Sequence, residues 1–313
     1  MIKEEFYFDS RDGENRIHAV RYTPDDGNVR GIVQIVHGMA EYVERYEELA
    51  KYLTDRGILV TGEDHLGHGK SVSEGGSFGY FCEQDPATVV VRDVHRLKKI
   101  TEEQYPQVPY IILGHSMGSF IARNYLCRYG SGIGGAVIVG TGMQPAGLIF
   151  ASKAMAGIQK LFCGSKHVSH FIDKAAFGGY NKRIDSPRTS SDWLSRNTEN
   201  VDRYIEDELC GFTFTVNGFQ TLFELIRRLQ KQENLEKVPQ NLPILMVSGA
   251  EDPVGDYGKG VHKACDSLKR AGVKNITVKL YENDRHELLN EDDAEVAMED
   301  IWQWICKEIP GIA

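Results

Sequence analysis

Three absences narrow the field before any motif is read. No stretch of about 18 consecutive apolar residues occurs, the length a helix needs to cross a bilayer, and Met1-Ile-Lys-Glu-Glu-Phe6 lacks the basic start and apolar core of a secretory signal. No integral membrane segment and a cytoplasmic location are therefore expected. Basic residues are the minority, 36 Lys and Arg against 45 Asp and Glu for a net charge of −9. That balance speaks against nucleic acid and anionic membrane surfaces as main partners. Cysteine is sparse and scattered: Cys82, Cys127, Cys163, Cys210, Cys265 and Cys306 form neither a Cys-x-x-Cys pair nor a Cys/His cluster. Reduced, mostly buried thiols follow, and neither a metal nor a cofactor is expected.

What is present suffices for a large core. The 313 residues are 41% hydrophobic and 26% charged, room for one α/β domain with an insertion or for two smaller domains. The chain is organised around Val108 to Phe120. Tyr110-Ile-Ile-Leu113 is a continuous apolar run of the kind a parallel strand buried on both faces requires. Met117 to Tyr129 reads as a helix, with Phe120, Ile121, Tyr125 and Leu126 apolar and Gly130 as its stop. Between them Gly114-His-Ser-Met-Gly118 has the form G-x-S-x-G, whose glycines permit a sharp strand-to-helix turn with Ser116 at its apex. There the Met117 N–H and the positive helix end suit an oxyanion. A glycine-rich turn with an incidental serine is the bland alternative, and the strand and helix flanks argue against it.

A nucleophilic serine needs a base, and the base an acid to orient it, in the order Ser, acid, His in this kind of fold. Leu242 to Ser248 is a second buried-strand pattern running into Gly249-Ala-Glu-Asp252 before Pro253. Asp252 is preferred to its neighbour Glu251 because Pro253 pushes the preceding residue into an extended conformation. Ile276 to Tyr281 alternates as a strand, and Glu282-Asn-Asp-Arg-His286 follows as a loop, which makes His286 the candidate base. His262 sits in a helical stretch, His167 and His170 in an insertion, and His115 beside the serine where it cannot readily face it.

Elsewhere, two strands around Arg11-Asp-Gly13 give a hairpin signal. Gly31 to Gly38 is a buried strand leading into His37-Gly-Met39 and a helix over about Tyr42 to Arg56, which makes the Met39 N–H a second oxyanion donor. Glu63 to Ser71 holds an Asp and two His, but Gly67 and Gly69 point to a tight structural loop rather than a metal site.

His37-Gly-Met-Ala-Glu41 with Arg45-Tyr46, Asp64-His-Leu-Gly-His-Gly-Lys-Ser71, Gly114-His-Ser-Met-Gly118 and the late Asp252 and His286 together resemble the monoacylglycerol lipase and lysophospholipase group of the α/β-hydrolase superfamily. One departure is Ala40, where that group often has glycine before the glutamate. The resemblance implies an α/β-hydrolase fold with a mostly parallel eight-stranded sheet flanked by helices; outside it, the mainly helical pattern that interrupts the strand-helix alternation after the sixth strand reads as a helical cap. The resemblance also implies a Ser116/Asp252/His286 triad, an oxyanion hole from Met39 and Met117, and small-molecule acyl esters as substrates. An esterase of short-chain or aromatic esters, a peptidase, and a binding protein that kept the fold are the alternatives.

Residues 1–143 and 241–313 are thus expected to form the core and residues 144–240 the cap. In the cap a helix over Leu148 to Phe162 puts Ala151, Met155, Ile158 and Phe162 on one face. That face would either line an acyl tunnel or pack on the cap's own core, and Phe212, Phe214 and Phe219 allow the same two readings.

Overall fold

In the computed structural model, which describes residues 1–312, the apolar runs form an eight-stranded sheet. Its strands are β1 (Ile2–Asp9), β2 (Arg16–Thr23), β3 (Gly31–Val36), β4 (Ile58–Glu63), β5 (Tyr110–His115), β6 (Gly135–Val139), β7 (Ile244–Gly249) and β8 (Ile276–Tyr281). The helices are α1 (Glu47–Thr54), α2 (Pro86–Gln104), α3 (Met117–Tyr129), α4 (Ala146–Cys163), α5 (His170–Phe177), α6 (Thr198–Glu206), α7 (Val216–Leu229), α8 (Gln232–Leu235), α9 (Lys259–Arg270) and α10 (Ala294–Glu308).

The spatial order is β1-β2-β4-β3-β5-β6-β7-β8. The β1–β2 and β2–β4 pairs are antiparallel and all others parallel. From β3 the chain moves outward to β4, then returns to place β5 on the other side of β3. This is the switch point of an open α/β sheet, where a crevice opens beyond the carboxyl ends of the strands. Ser116 follows β5 and Met39 follows β3, so both lie at that crevice.

Every residue of β3 through β7 is buried, because helices cover both faces of the sheet. Successive side chains feed two apolar clusters. Ile112 joins Val94, Phe120, Leu225 and Met246 on one side, and Ile111 and Leu113 join Leu53, Ile301 and Trp304 on the other.

The structure differs from expectation in three places. The helix expected from Tyr42 begins as a 3₁₀ turn, Val43–Tyr46, and is α-helical only over Glu47–Thr54. The Val43 N–H is taken by Asp64 Oδ1 at 2.9 Å, and Arg45 and Tyr46 turn inward to the buried Glu41. Gly130 follows α3 without a left-handed turn (φ −59°); its lack of a Cβ instead admits Pro239, whose Cδ would lie 2.7 Å from one. In α4 only Ile149 and Ala156 are buried, while Ile158 and Phe162 are 58% and 85% exposed. Of the face expected either to line an acyl tunnel or to pack on the cap's own core, Met155 is half-buried against the core, while Ala151, Ile158 and Phe162 lie open to solvent. Phe214 and Phe219 do pack inside, their rings 5.8 Å apart, and the Phe212 ring lies tilted against that of Phe78 at 4.9 Å. No helix among the described residues is long and apolar enough to cross a membrane.

Candidate active site

Ser116 sits between β5 and α3 with φ 53° and ψ −121°, a backbone conformation that costs energy for any residue with a side chain. Its surroundings hold it there. The Ser116 N–H donates to the Val139 carbonyl at 3.0 Å, and the Ser119 N–H donates to the Ser116 carbonyl at 2.9 Å. The turn closes only without side chains at its flanks: a Cβ on Gly118 would lie 1.9 Å from the Val36 carbonyl oxygen, and one on Gly114 2.4 Å from the Gly118 oxygen.

Opposite the serine, the loop after β8 brings His286, 2% exposed, to within 2.7 Å of Ser116 Oγ through its Nε2. Its Nδ1 lies 3.0 Å from Asp252 Oδ2. With the serine hydroxyl as donor, Nε2 is bare and Nδ1 carries the hydrogen that faces the carboxylate. Asp252 is fully buried and is itself held by the Val254 N–H at 2.8 Å and the Ser248 hydroxyl at 3.2 Å. Its neighbour Glu251 is exposed. Room for the imidazole comes from Gly140, at which a Cβ would stand 3.1 Å from the ring, and the Trp193 ring covers it at 5.1 Å. His167, His170 and His262 are all exposed, and His115 is buried with other partners.

The loop after β3 lies against Ser116, since a Cβ on Gly38 would be 3.1 Å from that of Ser116. No backbone carbonyl among the described residues takes the N–H of Met39 or Met117. The loop is fixed from behind by His37. Its Nε2 accepts the His65 N–H at 3.0 Å, so its Nδ1 carries the hydrogen that goes to the Gly38 carbonyl at 2.8 Å. Burial holds this imidazole well below its ordinary range, and pushes His65 down to about 3 and His68 to about 4. Three neutral histidines thus back the loop.

Asp64 binds the Val43 N–H at 2.9 Å, the Lys70 N–H at 2.8 Å and His18 Nδ1 at 2.9 Å. It ties the loop after β4 to the segment after β3. Glu5, His18 and Glu44 converge closely enough to be compared with a metal site, but Lys70 bonds both carboxylates and Lys3 bonds Glu44. Their charge is already met. All six cysteines are free.

The sequence reading missed a second buried layer around this site: Glu41, Arg45, Tyr46, His115 and Glu287. Its signal was present, since Glu41, Arg45 and Tyr46 stand in one motif, while His115 and Glu287 adjoin the serine and the histidine. What was lacking was a reason to join residues separated by up to 246 positions in the chain, from Glu41 to Glu287.

Known proteins similar to this chain show its family and its fold. The family described as serine aminopeptidase, S33, matches residues 27–293. Mouse monoglyceride lipase is 29% identical over 87% of this chain and 80% of its own length. The monoacylglycerol lipase of Mycolicibacterium smegmatis is 27% identical over 92% of each chain. A thermostable carboxyl esterase from Bacillus coagulans, solved in complex with glycerol, superposes with a TM-score of 0.92 at 31% identity over 100% of both chains. The chain therefore belongs to the serine aminopeptidase S33 family, and it is an α/β-hydrolase that resembles the monoacylglycerol lipases.

Proposed function

We propose that Ser116, His286 and Asp252 form the catalytic triad of an esterase acting on acyl esters such as monoacylglycerols and lysophospholipids, with residues 144–240 as a cap over the site and the rest as the catalytic core. The enzyme is a carboxylic ester hydrolase. The observation that carries the triad is the 2.7 Å approach of Ser116 Oγ to an imidazole whose other nitrogen faces a buried carboxylate at 3.0 Å. Ser116 attacks the ester carbonyl as His286 takes its proton, and the resulting oxyanion is held by the N–H groups of Met39 and Met117. His286 then gives the proton to the leaving alcohol, and water repeats the sequence on the acyl-enzyme. Throughout, Asp252 stabilises the imidazolium and fixes its orientation.

The substrate class rests on the names of the relatives and on the apolar surface of the cap. Leu148, Phe150, Ile158, Leu161, Phe162 and Phe171 are all exposed there. An apolar surface of this kind suits an amphiphilic ester better than a freely dissolved one. The family's aminopeptidase description favours a second reading, cleavage of an N-terminal residue, which needs a free carboxylate to hold the substrate's amine. The buried carboxylates next to the site, Glu41 and Glu287, are both already bonded to Arg45. The deciding measurement is turnover of a p-nitrophenyl ester chain-length series, a monoacylglycerol, lysophosphatidylcholine and an aminoacyl p-nitroanilide. The lipid esters are expected to be cleaved and the anilide spared. Cleavage of the anilide alone would reverse the assignment.

A further inference from the structure

The serine and the histidine each adjoin in sequence a buried ionisable residue that the triad does not use. His115 precedes Ser116, and Glu287 follows His286; their exposures are 5% and 3%. Arg45 joins Glu287 to Glu41 through a two-pronged pair, Nη1 to Oε1 at 2.7 Å and Nη2 to Oε2 at 2.8 Å, with a further bond from Nη1 to Glu41 Oε2 at 2.9 Å. Glu41 in turn holds the Gly38 N–H at 2.5 Å, on the loop that carries Met39. From the cap, Asn200 of α6 donates to Glu287 Oε2 at 2.7 Å, and the Glu287 N–H reaches the Leu194 carbonyl at 2.6 Å. Tyr204 of α6 lies beneath the guanidinium at 4.9 Å.

The hydrogen atoms of His115 can be assigned from its neighbours. Nε2 stands 3.2 Å from the His286 carbonyl oxygen, which only accepts, so Nε2 carries a hydrogen. Nδ1 stands 2.8 Å from Tyr46 Oη and 3.2 Å from Glu41 Oε1. The single hydrogen of Tyr46 goes to Glu41 at 2.8 Å, because a bare Nδ1 accepting it instead would set its lone pair against the Glu41 carboxylate at 3.2 Å; two accepting oxygens then stand in front of Nδ1. Both ring nitrogens are therefore donors, and the ring is an imidazolium. The charges then close: two carboxylates, Glu41 and Glu287, against Arg45 and His115. Burial works to lower the basicity of His115, but the bond and charge of Glu41, with Glu287 beyond it, outweigh burial and raise it above the ordinary value. Burial likewise works against ionised Glu287, and Arg45 overrides it and brings the carboxyl down to about 2.

We infer that His115 is a positively charged positioning residue: shared between Glu41 and the His286 carbonyl, it holds the base and the oxyanion loop in one register, and loss of its proton loosens both. This rests on the triad reading above. Its consequence is a fall in kcat/KM on the alkaline side, beyond the range in which His286 must be neutral. The groups facing His115 are Glu41 and Tyr46 from the segment after β3 and His286 and Glu287 from the segment after β8, with Arg45 paired to both carboxylates.

The test is kcat/KM of the full-length protein on p-nitrophenyl butyrate from about pH 6 to about pH 10, corrected for hydroxide hydrolysis. Wild type is expected to lose at least about fivefold at the alkaline end. His115→Gln donates from its amide without titrating, so it should start lower and stay level. Retention of the alkaline fall in His115→Gln, or no fall in wild type, overturns the inference. Should His115→Gln lose its cooperative melting transition, Glu287→Gln decides: removing a negative charge that favours the imidazolium must move the fall to lower pH. An unmoved midpoint overturns the inference as well. Fluorophosphonate labelling separates the two readings. Labelling that vanishes in Ser116→Ala alongside unmoved pH profiles sinks the role of His115 alone, whereas labelling that persists in Ser116→Ala sinks the triad and this inference with it.

Discussion

At the scale of single residues, the proposed triad rests on one strained serine and one oriented imidazole. The unfavourable backbone of Ser116 is held by its bonds to Val139 and Ser119 and by the two glycines that let α3 approach β3. Since Gly118 faces the Val36 carbonyl, an added methyl cannot be accommodated by a side-chain rotation, and Gly118→Ala should misplace the nucleophile itself. The acid is a simpler case. Asp252→Asn keeps the side chain's shape but presents an amide where Nδ1–H needs an acceptor, which favours the wrong tautomer. A loss in kcat on the order of 10⁴ is expected, as for other triads, with an unchanged melting temperature. Glu251→Gln, on the exposed neighbour, should stay within about twofold of wild type because an exposed charge is screened by solvent. Steady-state kinetics on both variants checks the pair, and a larger loss in Glu251→Gln would reassign the acid.

At the scale of elements, α4 and α2 behave in opposite ways. Of the apolar side chains of α4, Ile149 is buried and Phe162 is not. Ile149→Ala should therefore destabilise by about 2–5 kcal/mol, as buried aliphatic truncations do, while Phe162→Ser should change stability by less than about 0.5 kcal/mol. Urea titration compares the two, and equal losses would mean that the outer face of α4 is covered in solution. On α2, Asp93 ties the helix to the hairpin by accepting from Ser10 Oγ at 2.8 Å and the Arg11 N–H at 2.6 Å. Burial pushes its carboxyl up to about 7, against about 4 in an unfolded chain. The folded state thus holds a proton that the unfolded state releases. The resulting stabilisation is complete below about pH 4 and is lost as pH rises to about 7. Asp93→Asn, which does not titrate, should lose less melting temperature than wild type over that interval. Parallel slopes for the two proteins would refute the shift.

At the scale of the whole molecule, the sheet brings together loops from distant parts of the chain. Met39, Ser116, Asp252 and His286 follow β3, β5, β7 and β8, so all four lie beyond the same carboxyl edge. None of the six cysteines belongs to that constellation, and Cys163 is the exposed one, on the outer end of α4. The carboxylates nearest to a cation-binding arrangement are engaged by lysines. Ester turnover should accordingly survive both EDTA and a thiol alkylator at the level of the untreated enzyme. Loss under EDTA that returned with zinc or calcium would show a metal requirement.

The succession of buried strands along the chain, the serine turn, and the loops that carry Asp252 and His286 were legible in the sequence because they are local; the order of the strands in the sheet was not. Buried parallel strands read as unbroken apolar runs, and the tight turns after them need glycines at fixed spacing. The choice between Asp252 and Glu251 was also local, since Pro253 restricts the residue before it. Other features required the tertiary structure. The inward turn of Arg45 and Tyr46 that shortens α1 follows from Asp64 and Glu41, which the sequence places in separate loops. Apolar spacing in α4 showed an amphipathic helix but could not say which face would be covered, because burial depends on what packs against it. The charge state of His115 was beyond sequence reasoning for the same reason. It is set by Glu41, Tyr46 and the His286 carbonyl, up to 171 residues away, and a hydrogen bond is decided by distance in space rather than along the chain.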